Sequence, residues 1–197
     1  MSKKFLGALL CLGVIVVVYF STSLPITAPS PTASPGSTSL EEKICAKVSV
    51  HYGDCKRIIL IDTNSNLAFA ESKLGILPVL ISKDHTDIVK MIHPLLYFQE
   101  FKEEKEERGP ISWAVKNNVQ KDFSVISGFA TDEAKTIIIN SAGDRQPNKF
   151  FVRDNLWVWY ITSKDKINLP LEVTVYNANG HIISGVVKVD YFGFFYK

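Results

Sequence analysis

Leu40, Ile44, Cys45, Val48 and Tyr52 recur at helical spacing, while Glu42, Lys43 and Lys47 fall on other faces. Ser39 stands just before this stripe and Glu42 three residues later, the spacing of a capping box, and Gly53-Asp54 supplies a stop. The pattern predicts a short amphipathic helix that needs a surface to pack on. Beyond it the period changes. Residues 57–61 (RIILI) and 67–70 (LAFA) flank the turn-forming DTNSN and predict a hairpin. A third strand, 76–82 (ILPVLIS), follows Gly75, with Pro78 pointing to a sheet edge or a bulge. DHTDIVKMIHP is expected to form a helical turn ended by Pro94, and FKEEKEERGP a solvated loop or hairpin tip.

From residue 112 onward the pattern is almost wholly that of strands. They are expected over 112–115, 124–129, 136–140, 150–152, 156–161, 171–176 and 181–191. Turns are marked by 142–144 (AGD), 146–148 (QPN) and 177–180 (NANG). The fold class is therefore α+β and mostly β. An N-terminal amphipathic helix packs on antiparallel strands, and the C-terminal half forms a small sandwich-like antiparallel β domain.

The most apolar part of the chain lies ahead of all this. Residues 5–24 carry no charge and end before Pro25, and at ~1.5 Å rise per residue they would span roughly 30 Å, one hydrocarbon core. Lys3 and Lys4 precede the run, and the next basic residue is Lys43, so the N-terminus is expected in the cytoplasm and the rest outside. Two fates stay open. The segment is either an uncleaved signal anchor in a single-pass membrane protein, which its length favours, or a signal peptide cut near Ser23 to give a secreted one. Residues 25–39 hold four Pro and seven Ser or Thr with no charge, and read as an extended, solvated linker. Largely polyproline-like at ~3.1 Å per residue, it would reach roughly 45 Å. The organisation expected is a leader at 1–24, a linker at 25–39 and an extracytoplasmic domain at 40–197, divisible into subdomains 40–110 and 111–197.

Charge changes the picture only by exclusion. Of the 22 basic residues two lie in the leader, so the domain balances 20 basic against 20 acidic residues. A neutral domain without a basic run argues against nucleic acid as a partner. Cys45 and Cys55 can join in a disulfide, a short loop worth about 2.8 kcal/mol in the chain-entropy model, or remain buried thiols. His51 lies between them, but two Cys and one His make an incomplete zinc set, and no metal is assigned.

Several of these stretches taken together resemble a known group. The helix, RIILIDTNSNLAFAES, a third strand, SVISGFATDEAKTIIIN, NLWVWYI and LPLEVTVYNANGHII are similar, in that order, to small exported or single-pass membrane-anchored proteins of Gram-positive, spore-forming bacteria. The similarity runs over most of 40–185. Its most specific parts are Gly128, the TIIIN strand, the Trp-containing strand and the PLEV hairpin. These are turns and core strands, so the resemblance implies a fold and a compartment and no catalytic residue. The KEEKEER stretch and the cysteine pair lie outside its pattern.

Candidate chemistry is sparse. DTNSN begins like a calcium loop, but the required Gly at position six is Leu67 and the late Glu is absent, so a plain hairpin turn is preferred. Trp157 and Trp159 are two apart on a strand and share a face; they would either stack on a sugar ring or fill the core, as would Trp113. His85 with Asp84 and Asp87, and His93 before Pro94, are the titratable groups a hydrolase would have to recruit. No nucleophile elbow, HExxH or phosphate loop accompanies them. The C-terminal DYFGFFYK is expected to form a final strand. The functional expectation is thus a membrane-anchored extracytoplasmic protein that binds or has a structural role in the envelope. It has no catalytic residue or cofactor, and a protein or glycan of the envelope is its partner. The alternatives are a cell-wall glycan binder using Trp157 and Trp159, and an envelope hydrolase.

Overall fold

The computed structural model describes residues 38–140 and 143–184. Helix α1 (Leu40–Tyr52) opens with the expected capping box: the Ser39 hydroxyl accepts from the Glu42 amide, and the Glu42 carboxylate accepts from the Ser39 amide. Ile44 and Val48 are buried on its inner stripe.

Three antiparallel sheets follow. The first joins β1 (Cys55–Asp62), β2 (Leu67–Ser72), β3 (Gly75–Ile81) and β4 (Ile88–Met91) in that order, with the short β5 (Leu96–Tyr97) also on β3. The second has the order β6 (Ala114–Gln120), β7 (Phe123–Ala130), β10 (Leu156–Ser163), β9 (Asn148–Arg153). The third joins β12 (Ile182–Ser184), β11 (Val173–Tyr176) and β8 (Thr136–Ile139).

Strand alternation stacks these sheets. Leu67 and Phe69 of β2 share a core with Val125 and Phe129 of β7 and Val158 and Tyr160 of β10, whereas Ala68 and Ala70 pack with Ile44 and Val48 of α1. On the far face of the second sheet, Ile126, Ala130, Trp159 and Ile161 meet Ile137, Ile139, Val173 and Val175 of the third. The layers therefore run helix, sheet, sheet, sheet, with an apolar core between each pair. Both inner sheets are covered on two faces, which is why LAFAES and GILPVLI read as continuous buried strands and not as alternating ones. At 25 cal/mol per Å² each large side chain moved into such a layer contributes roughly 1.5–3 kcal/mol.

Some elements differ from expectation for local reasons. FKEEKEER is not a loop but helix α2 (Phe98–Arg108). Gln, Glu, Lys and Arg are good helix formers, Glu104 and Arg108 pair at 2.6 Å one turn apart, and Phe98 and Phe101 dock on Phe129 at centroid distances of 5.6 and 5.3 Å. The expected helical turn in DHTDIVKMIHP is strand β4, whose β-branched Ile88 and Val89 favour the pleated surface and whose Met91 pairs with Val79. Pro78 lies on an interior strand. It is tolerated there because β4 covers β3 only at Val79–Ile81 and β5 only at Gly75–Ile76, leaving Pro78 at the gap between them. The strand expected from Ser112 begins at Ala114. Of the final strand, β12 is described; DYFGFFYK lies outside the described residues.

The membrane-anchored, single-pass organisation expected above is corrected here. Among the described residues no helix is long and apolar enough to cross a membrane. The two helices among the described residues have 13 and 11 residues, and each carries several charges. At ~1.5 Å per residue neither would reach across a hydrocarbon core of ~30 Å. The leader at 5–24 and residues 25–37 of the linker lie outside the described residues. The signal anchor, the secreted alternative, the membrane partner and the envelope role built on them find no support among the described residues.

Candidate functional site

Three ion pairs converge on Glu71 where the rims of the first two sheets meet. In the β1–β2 ladder Cys55 pairs with Ser72 and Arg57 with Glu71, so Lys56 is the extra residue of a bulge. Successive strand residues normally point to opposite faces; the bulge lets both Lys56 and Arg57 turn toward Glu71. Glu71 follows Leu67 and Phe69 in alternation, which aims its side chain between the sheets, and it is only 3% exposed. Arg57 Nε donates to Glu71 Oε2 at 3.0 Å, and Arg153 Nη1, from β9 of the second sheet, donates to Oε1 at 2.9 Å. Lys56 Nζ stands 3.9 Å from the same oxygen. Arg57 Nη2 also donates to the Val152 carbonyl at 3.0 Å, and the Arg153 guanidinium lies 4.1 Å over the Phe98 ring. The three cationic side chains remain 47%, 55% and 38% exposed for Lys56, Arg57 and Arg153. One buried carboxylate thus holds three cations at the surface.

A second polar contact across the same pair of sheets is Asp62, in the hairpin turn. Its carboxylate accepts from the Asn64 amide at 3.0 Å, the Ser65 hydroxyl at 2.5 Å and the Tyr160 hydroxyl at 2.8 Å. Burial pushes the Asp62 carboxyl up, but the hydrogen bonds from Ser65, Tyr160 and the backbone outweigh it and hold the group below the usual carboxylate range. Burial, and then Asp62 itself, drive Tyr160 well above its ordinary range. DTNSN is therefore a turn whose Asp62 carboxylate is occupied by the protein's own donors.

The tryptophans do share a face, as expected, but it is the core face. Trp159 is fully buried, and its indole N–H lies 3.1 Å from both the Ser112 and Phe129 carbonyls. Trp157 is half-buried: its N–H donates to Asp132 at 2.6 Å, Lys149 Nζ sits 4.7 Å over its ring, and Phe151 meets it edge-on at 5.3 Å. Burial, then Lys135, lower the Lys149 amine. Both rings are thus engaged by the protein's own groups, Trp159 inside the core and Trp157 beneath the Lys149 ammonium. Trp113 packs against the same core.

Cys45 and Cys55 are joined in a disulfide. His51 touches Tyr52 edge-on at 6.2 Å. His85 lies in the turn after β3, where Asp84 accepts from Ser82 and Thr86; its Nε2 is buried without a hydrogen-bond partner among the described residues. His93 Nδ1 is hydrogen-bonded to the Tyr52 hydroxyl. Neither His85 nor His93 has a carboxylate partner among the described residues, so no acid of the kind a hydrolase recruits stands against either imidazole.

Desolvation, then Lys116 and His51, lower the His93 imidazole below its ordinary 6.5, and desolvation, then Tyr97, raise the Tyr52 hydroxyl. The unfolded chain takes up the proton first, so the contribution of His93 is complete above 6.5 and is lost as pH falls through its lower folded value. Urea unfolding between pH 7.5 and 5 should show stability falling with pH, with a shallower slope in His93→Gln. Equal slopes would remove His93 from the account.

Sequence reasoning missed the Lys56–Arg57–Arg153 corner. Formal neutrality hid it, and Arg153 is 82 residues from Glu71; the adjacent Lys-Arg after Cys55 was its visible trace. No protein-family model matches the chain, and neither a curated protein nor a solved structure matches it.

Proposed function

We propose that the domain recognises acidic segments of a partner protein, with Lys56, Arg57 and Arg153 as the contacting residues. The observation that carries this is the imbalance at Glu71: three cations share one buried carboxylate. Neutralising Glu71 needs one positive charge, and exposed ion pairs add little to stability, so two further cations exceed what the fold requires. Each guanidinium carries five N–H donors. Arg57 spends one on Glu71 and one on Val152, and Arg153 spends one on Glu71. The donors left over match the planar fork of a carboxylate. Glu71 and Phe98 hold the two arginines in place before a ligand arrives, which reduces the ordering cost of binding. Because the domain as a whole is neutral, recognition is short-ranged and not driven by a long-range field.

Fluorescence anisotropy with a labelled oligo-glutamate peptide tests this. Saturable binding that weakens with salt is expected, with at least about a tenfold loss in a Lys56→Ala/Arg57→Ala double variant, the worth of one charge-assisted hydrogen bond. Inorganic phosphate that competes at the same site would show that the corner accepts oxyanions generally. Equal affinity of the double variant and the parent chain would rule the corner out.

A further inference from the structure

We infer that the Cys45–Cys55 disulfide is a redox gate on this cationic corner, an inference that rests on the recognition of acidic segments proposed above. The two features are continuous in the chain. Cys55 is the first residue of β1, Lys56 is the bulge residue and Arg57 is the residue opposite Glu71. On one side of the bulge the position is fixed by Arg57 on Glu71. On the other it is fixed at Cys55, by the disulfide to α1, by its amide donating to the Ser49 hydroxyl at 3.1 Å, and by pairing with Ser72. Ser72 is itself immobilised: its hydroxyl lies 3.2 and 3.3 Å from the Leu74 and Gly75 amides and 3.3 Å from the Gly75 carbonyl.

The bulge is thus pinned on both flanks, by Arg57 on one and by Cys55 on the other. Ahead of Cys55 stands Gly53, at φ +73 with open space around it, a natural hinge. Opening the disulfide leaves the N-terminal flank with one hydroxyl contact, one strand pair at its end and the packing of Cys55 on the core beneath α1. Lys56 then loses its fixed position, and Arg57 one of its supports. Helix α1 stays docked, because Ile44 and Val48 remain buried against the first sheet. The sulfurs belong to half-buried residues, within reach of a small reagent.

The reaction is a thiol–disulfide exchange with a dithiol. Its thiolate attacks one sulfur, breaking the Cys45–Cys55 bond and releasing the other cysteine as a thiolate. The second thiol of the reagent then closes on the first, breaking the mixed disulfide. Two electrons and two protons pass from the dithiol, leaving Cys45 and Cys55 as thiols and the reagent as its cyclic disulfide.

The test is affinity of the full chain for labelled oligo-glutamate, oxidised and after dithiothreitol, with tryptophan emission and far-ultraviolet circular dichroism as measures of folding. A Cys45→Ser/Cys55→Ser variant is run beside it. About a tenfold loss on reduction, matched by the variant, with folding signals unchanged and affinity restored on reoxidation, is the expected result. Equal affinity in the two redox states overturns the gate and leaves the recognition of acidic segments standing. Absence of binding in both states overturns that recognition, and the gate with it. A reduced chain that unfolds also overturns the gate, since gating needs a folded open state.

Discussion

Replacing Gly128 by Ala is expected to destabilise the domain by at least about 3 kcal/mol, close to the loss of folding for a protein of this size. Gly128 lies on β7 opposite Trp159. A Cβ there would stand 1.8 Å from the Ser112 carbonyl oxygen and 2.6 Å from both the Ser112 carbonyl carbon and the Trp113 Cα. All three atoms are backbone, so no rotamer change relieves the overlap. The 112–113 segment would have to lift, and that segment receives the Trp159 indole N–H and donates the Ser112 amide to Phe129. Gly180→Ala is the fitting comparison. Its hairpin position has φ +76 and open space, so the substitution meets only the left-handed backbone penalty of about 1 kcal/mol. Urea unfolding followed by tryptophan emission measures both. Finding Gly128→Ala within 1 kcal/mol of the parent would mean that the 112–113 crossing is not as close as described.

The fold was legible in the sequence wherever local chemistry and tertiary demand agree. Ser39, Glu42 and the 40-44-48 stripe carry helix α1 unaided, and 177–180 (NANG) specifies its hairpin because Gly180 takes the left-handed backbone the turn requires. Both faces of LWVWYI are apolar, and that marks the strand as central, as β10 is between β7 and β9. Errors arose where one signal had two readings. The charges of FKEEKEER speak for solvent exposure in loop and helix alike, and only the Phe98–Phe101 pair, one turn apart, distinguishes them. A Trp-x-Trp spacing fixes a shared face but not what covers it, and here the third sheet covers Trp159. The cationic corner was the least legible of all. Its members come from two sheets, and the bulge that aligns Lys56 with Arg57 has no sequence signature beyond the pair itself.

Glu71→Ala should cost about 2 kcal/mol, more than removing any one of its partners. Breaking a buried ion pair typically costs 3–5 kcal/mol because an uncompensated charge is left inside. Here the stranded groups would be Arg57 and Arg153, which are 55% and 38% exposed and can turn toward water, so the full figure must be discounted. What is not recovered is the bridge itself: through Glu71 the first sheet holds Arg153 of the second, while Arg153 in turn lies over Phe98 of α2. Arg57→Ala leaves the carboxylate with Arg153 and Lys56, and its cost should stay near 1 kcal/mol. A double-mutant cycle on Glu71 and Arg57, read by urea unfolding, separates the shared interaction from each residue's own packing. If Glu71→Ala proves no more costly than Arg57→Ala, the carboxylate is not the common anchor. The three cations would then owe their positions to their own strands, and the preorganisation that makes this corner a recognition surface would have another source.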